Sequence, residues 1–272
     1  MKLMEVLAGQ VLEALASGAE LTLVESAIGL LNSAKWRSQA AELLSRLGQL
    51  VGTDGARVAV AGAVVAMLQL GGAVPHLSAL VCGLARGASS DAARLAAAEA
   101  IAAAGEGGHI AVGSDEVLEA VALLARGAAS DAVRAALCRS LRGVAACGVK
   151  YGRVALRRLI DALVAIGEAA ESDDVREMVA GVFAAVTEGD LDLEERISIA
   201  RDDVWNTLEA MGRRGEGDGV KEAVCRAIAG VSHAFNLDVN RDESADTALA
   251  AYRVMRMLVD FGEALPAAGR DG

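Results

Sequence analysis

Aromatic side chains are scarce: Phe, Trp and Tyr together make up 3% of the 272 residues. A groove that stacks nucleic-acid bases has little to build with. Proline is rarer, with two in the chain, which excludes proline-rich linkers and polyproline segments. The four cysteines, Cys82, Cys138, Cys147 and Cys225, are too few and too dispersed for a disulfide scaffold. None forms a CxxC pair or clusters with His, so each is expected as a free buried thiol in an apolar helical run. Basic residues are outnumbered, 26 against 37 acidic, for a formal charge of −11. That argues against a general binder of phosphate backbones. Long apolar runs are missing too. VAVAGAVVAML (58–68) stops after 11 residues, where a membrane span needs about 20, and Gly71, Gly72 and Pro75 follow it. A helix buried in a protein core is the better reading. Glu5 and Glu13 interrupt any secretory apolar region, so a reducing, cytoplasmic location is expected.

What the chain has in quantity is small apolar residues and an internal repeat. Hydrophobic residues make up 54%, too many for a disordered chain. Residues 84–94 read LARGASSDAAR and 124–134 read LARGAASDAVR, identical at nine of eleven positions. IGEAAESDDVR (166–176) keeps Ala170, Ser172, Asp173, Val175 and Arg176. Weaker copies are TDGAR (53–57) and GDGVK (217–221). The basic residue recurs at Arg57, Arg94, Arg134, Arg176 and Lys221, at intervals of 37, 40, 42 and 45. A period near this length signals a stacked helical-repeat architecture.

Each copy reads as an apolar helix, a turn of small residues, an Asp, and a second apolar helix. Asp91, Asp131 and Asp173 are placed to cap the second helices. Gly105, Gly148 and Gly189 lie where those helices should stop. The repeated Arg is expected to lay its stem on a neighbouring helix and pair with a repeated Asp of an adjacent turn. Helical periodicity predicts about thirteen helices: 2–17, 20–32, 34–51, 54–71, 73–87, 90–104, 114–128, 130–147, 150–170, 172–188, 193–212, 218–235 and 242–262. No period-2 alternation bounded by turns predicts a strand.

Two segments carry a family resemblance. GGAVPHLSALVCGLARGASSDAARLAAAEAI (71–101) resembles an armadillo repeat, with its Gly, Val-Pro, Leu-rich helix and Ala-rich second helix. SDAVRAALCRSLRGV (130–144) resembles the second helix of a HEAT repeat. The resemblance covers most of 54–235. It implies an all-α, right-handed α-solenoid of about six antiparallel helix pairs plus a C-terminal capping helix. It also implies a scaffold that binds protein or peptide, with the second helices lining the concave face. Residues 1–265 then form one domain: an atypical cap at 1–53, repeats at 54–235, a cap helix at 242–262, and a tail from 266.

The repeat register picks out outward positions on the second helices. Arg139 aligns with Gly62, Glu99, Gly181 and Arg226. Gln69, Arg142, Glu177, Glu188, Glu222 and His233 lie on the same stripe. The column is mixed in charge, and ordinary solvated helix faces with i,i+4 pairing are the alternative reading. Tyr151, Arg153, Arg157 and Arg158 form a basic-aromatic group that could meet an acidic partner or a second copy. Trp205 reads either as a core anchor or as a partner hot spot. Charge is uneven: residues 1–150 carry a net −1 and residues 151–272 a net −10. The acidic half suggests docking of a basic partner, or a face that keeps an Ala-rich chain soluble.

Catalytic and metal motifs are weak. DVNRDESADTAL (238–249) opens like an EF-hand but has Glu243 where Gly is needed and Leu249 where a bidentate Glu is needed. GEGGH (105–109) has no preceding strand and no following GKS or GKT. His76, His109 and His233 form no HxxxH or HExxH pattern. No catalytic residue, cofactor or metal is expected. The expected function is a non-catalytic protein- or peptide-binding scaffold. The alternative is a helical-repeat nucleic-acid-processing enzyme resembling DNA glycosylases, disfavoured by the net charge. Homo-oligomerisation through the edge helices is a third expectation.

Overall fold

Every second helix opens on the same chemistry, a small polar turn followed by Asp, and the computed structural model shows what that produces. It describes residues 51–69, 74, 76–107, 114–146, 153–188, 199 and 201–239, of which 143–146, 153, 154 and 233–239 are described by backbone alone. The expected helices at 2–17, 20–32, 34–51 and 242–262 lie outside these residues. Among the described residues the chain is all-α, with no strand. The helices are α1 Asp54–Gln69, α2 Leu77–Gly87, α3 Asp91–Glu106, α4 Asp115–Gly127, α5 Asp131–Ala146, α6 Arg153–Ala169, α7 Asp173–Thr187, α8 Asp202–Arg214 and α9 Asp218–Val239.

They fall in two compact units, Met1–Gly143 and Val144–Gly272. In the first, α1 packs on α3 and α2 on α4, while α2 closes against both α1 and α3, and α3 against α4. In the second, α7 packs on α9 and α6 on α8, with α6 against α7 and α8 against α9. Each unit therefore has two layers, one of first helices and one of second helices. This is what a stacked repeat requires, since a lone pair cannot bury both apolar faces.

Composition follows from position in the layers. First helix α2 buries Leu77, Leu80, Val81 and Leu84, and α4 buries Val117, Leu118, Val121 and Leu124. These lie three or four apart and form one stripe, each burial stabilising by about 1.5–3 kcal/mol. Second helix α3 has neighbours α1, α2 and α4, so it buries residues on several sides. They are mostly small: Ala93, Ala97, Ala98, Ala100, Ala102 and Ala104 around Ile101. Short side chains let backbones approach, as where buried Ser140 on α5 donates to the Ala98 carbonyl of α3 at 3.5 Å. In α5, Val133, Leu137 and Leu141 are fully buried.

Several expected boundaries shift for local reasons. α2 begins at Leu77 rather than 73, because His76 before it adopts φ 51°, a left-handed turn. α3 continues through Gly105 to Glu106, and Gly107 takes the C-cap; Gly148 and Gly189 lie outside the described residues. The expected helix 193–212 is broken at Arg201, whose backbone is extended (φ −68°, ψ 149°); Ile199 before it is helical and α8 begins at Asp202. The Arg201 guanidinium holds that turn, donating to Asp161 at 2.7 Å and to both oxygens of Asp203. Asp202 and Asp203 then supply negative charge to the start of the helix.

Candidate functional site

The repeated motif builds a joint between successive repeats, and its geometry corrects the expected roles of Asp and Arg. The N-cap is the serine, not the aspartate. Ser90 Oγ accepts from the Ala93 N–H at 3.3 Å, and Ser172 Oγ from the Val175 N–H at 3.4 Å. The aspartate opens the helix proper, and its carboxylate reaches the turn of the following repeat. Asp54 accepts from the Ser89 N–H at 3.1 Å, the Ser89 hydroxyl at 2.7 Å and the Ser90 N–H at 2.5 Å. Asp91 accepts from the Ala129 N–H at 3.0 Å. Asp173 accepts from the Glu216 N–H at 3.0 Å and the Gly217 N–H at 2.7 Å. Each carboxylate thus lies at the amino end of the next repeat's second helix, where orphan N–H groups and the helix dipole favour an anion.

The arginine pairs within its own first turn, three residues after the aspartate. The distances are 3.1 Å for Arg57–Asp54, 2.6 Å for Arg134–Asp131 and 2.7 Å for Arg176–Asp173. The other guanidinium nitrogen clips the preceding turn. Arg57 donates to the Val51 carbonyl at 3.0 Å, Arg134 to Ala128 at 3.1 Å, and Arg176 to Ala170 at 3.2 Å and Glu171 at 2.8 Å. The motif glycines explain themselves here. A Cβ on Gly87 would collide with the Arg57 guanidinium, and one on Gly127 would approach Arg94 Nε to 2.7 Å. Glycine at these turns leaves room for the arginine of the preceding repeat.

These bonds set the carboxylates' acidity. The hydroxyls of Ser90 and Ser89 hold Asp54 well below the usual carboxylate range. The Ser130 hydroxyl, with the Ala129 N–H, lowers Asp91, and the Gly217 N–H is the main cause for Asp173. A folded pKa below the unfolded value of about 3.9 gives stabilisation that is complete above the unfolded pKa. It is lost as pH falls through the folded value. Urea midpoints are therefore expected to drop on acidification from about pH 5 towards pH 2. The D54N/D91N/D173N variant should start lower at neutral pH, by about 1 kcal/mol per joint, and show a shallower drop. An unchanged slope would remove these carboxylates from the acid response.

The sequence-derived site residues separate into groups. Gln69, Glu99, Arg139, Arg142, Arg157, Glu177, Glu222 and Arg226 are exposed. Trp205, by contrast, is a core residue at 4% exposure, packed with its neighbours Val204 and Leu208 among the buried positions of α8. Tyr151 lies outside the described residues, as does the side chain of His233. In the first unit the register rows are Val58, Leu95, Ala135 and Gly62, Glu99, Arg139, all exposed but Leu95 and Ala135, which are half-buried. In the second they are Glu177, Glu222 and Gly181, Arg226. Glu222 and Arg226 pair with each other at 2.8 Å on the surface. Glu177 lies over the first turn of α9, where a Cβ on Gly219 would come within 2.7 Å of its carboxylate. Glu216 and Asp218 at that turn are exposed, as is Asp174 in the first turn of α7.

No family model and no curated protein matches this chain. Two crystal structures of engineered proteins are similar in part. One is 16% identical with a TM-score of 0.45, covering 87% of this chain and 98% of the other. The second is 17% identical with a TM-score of 0.43, covering 88% and 97%. Likeness at this level carries no argument.

Among the described residues no group of three or more His, Cys, Asp or Glu side chains could hold a metal ion. No described helix is long and apolar enough to cross a membrane. The thiols are muted by burial, which pushes Cys138 up to about 12 and raises Cys82 and Cys225. Cys225 is only half-buried, a departure from the expected set of fully buried cysteines. Cys147 lies outside the described residues. Sequence reasoning missed the role of Ser89, Gly87 and Gly127, although all three stand inside the repeat.

Proposed function

We propose that this chain is a non-catalytic armadillo/HEAT-like scaffold, a right-handed α-solenoid that binds a protein or peptide across the outward face of its second helices. One observation carries the reading. The joint residues recur from repeat to repeat, because every repeat needs the same joint. The outward residues vary more: one register position holds Gly62, Glu99, Arg139, Gly181 and Arg226, and another holds Val58, Leu95, Ala135, Glu177 and Glu222. A face whose chemistry varies along the repeats suits a partner whose own residues change along its length. In the acidic half the proposed partner is basic, drawn to Asp174, Glu177 and Glu222. The surface pair Glu222–Arg226 is weak enough to open for it. A cytoplasmic location belongs to the same proposal.

Fluorescence anisotropy tests this with labelled Lys/Arg-rich and Asp/Glu-rich peptides and duplex DNA. The basic peptide is expected to bind at low salt and to weaken as salt rises. The E177Q/E222Q variant should lose about tenfold in affinity. Equal binding of both peptides, or tighter binding of the duplex, would overturn the proposal. The latter would favour the nucleic-acid alternative.

A further inference from the structure

We propose that Ser89 is a phosphorylation site for a serine kinase that reads a basic residue three positions before its target, and that the phosphate opens the joint between two repeats. This stands apart from whatever the outward face binds.

Three observations meet at the turn between α2 and α3. First, Ser89 is exposed, and the backbone on both sides of it is extended, with φ −70°, ψ 114° at Ala88 and φ −91°, ψ 158° at Ser90. Helix α2 ends at Gly87 and α3 starts at Asp91, so a kinase cleft takes this turn once the last turn of α2, which carries Arg86, opens locally. Second, Arg86, three residues earlier in the last turn of α2, is exposed and makes no ion pair among the described residues. It is available to a carboxylate of the enzyme. Third, the Ser89 hydroxyl is a working part of the joint, donating to Asp54 at 2.7 Å. The corresponding residue of the next repeat is Ala129, whose joint uses the backbone N–H. Ser89 is therefore dispensable to joint formation as such, and its hydroxyl gives this joint a chemistry the next one lacks at that position.

The reaction is ordinary phosphoryl transfer. Ser89 Oγ attacks the γ-phosphorus of a magnesium-bound nucleoside triphosphate. The bond from that phosphorus to the β,γ-bridging oxygen breaks, the nucleoside diphosphate leaves, and the hydroxyl proton passes to a base of the kinase and then to solvent. The product can no longer donate to Asp54. It sets a group of charge about −1.5 to −2 against the carboxylate. Repulsion then opposes the bonds that remain, among them those from the Ser89 and Ser90 N–H groups.

The test uses the full chain, a basophilic serine kinase domain and magnesium ATP. Mass spectrometry locates the phosphate, and hydrogen exchange reads the amides of residues 89 and 90. One phosphate on Ser89 is expected, absent in S89A and at least about tenfold slower to form in R86A. Exchange at those two amides should quicken by about tenfold or more. D54N supplies the control: there the carboxylate charge is gone, and phosphorylation should change exchange little. Absence of transfer, transfer to another residue, or a phosphate that leaves both amides unchanged would each overturn the proposal.

Discussion

Replacing Phe183 with Ala is expected to destabilise the second unit by about 4 kcal/mol, within the range of about 3–5 kcal/mol for a buried aromatic. Phe183 on α7 is 1% exposed and heads the fully buried side chains. The composition of its own helix and of the helix packed on it decides the magnitude. α7 buries Val179, Ala180, Val182, Ala184 and Val186, and its partner α9 buries Val220, Val224, Ala227, Ile228 and Val231. Short and branched side chains have few rotamers with which to reach into a void. The cavity should stay open, which keeps the cost well inside that range. Urea unfolding followed by Trp205 fluorescence measures it, in a Trp36→Phe background so that one indole reports. A loss below about 1.5 kcal/mol would show that the site collapses and that the small-residue argument fails.

The second large effect is expected for Arg176→Ala, at about 3 kcal/mol. Arg176 is 9% exposed. Its guanidinium holds Asp173 at 2.7 Å, the carbonyls of Ala170 and Glu171, and the carbonyl of Arg214 at 3.5 Å. Removing it leaves a carboxylate without its cation and buried carbonyls without donors, where loss of one partner of a buried pair costs about 3–5 kcal/mol. Two facts hold the figure at the lower end. The Asp173 side chain is 31% exposed and keeps water as well as the N–H groups of Glu216 and Gly217. Arg176 Nε is buried without an acceptor, a cost the wild type already bears. Arg176→Lys should recover less than half of the loss, because one ammonium cannot span the carboxylate and two carbonyls as a planar fork does. Full recovery by Lys would show that charge alone, and not the fork, stabilises the turn.

Helix existence was legible because Ala, Leu and Val recur at helical spacing over long runs. α3, α4, α5 and α7 end within two residues of their expected bounds. Boundaries governed by a single conformation were less legible. Nothing in residues 73–77 announces a left-handed His76, and nothing near 201 announces the extended Arg201 at which α8 begins. The repeat itself was fully visible, but its function as a joint was not. Asp91 preceding a helix looks like a cap from sequence, since a local partner is the nearest one available. Its actual partner, Ala129, lies 38 residues away, and only stacking of the repeats brings it near. The outward residues were legible as exposed positions, because the register fixes which way a helical residue points. Trp205 went the other way, into the core, as one of its two readings expected. What the outward face binds depends on a molecule outside the chain.

The direction of the joint has a further consequence. Each joint takes its acceptor from one repeat and its donors from the next, so the two sides are different surfaces. A head-to-tail union of this kind carries no rule for closure, unlike a two-fold contact that satisfies itself once made. A duplicated copy of LARGAASDAVR and its two helices would find an aspartate waiting on one side and a turn on the other. Within each unit the joint thus fixes the order and polarity of successive repeats and sets no limit on their number.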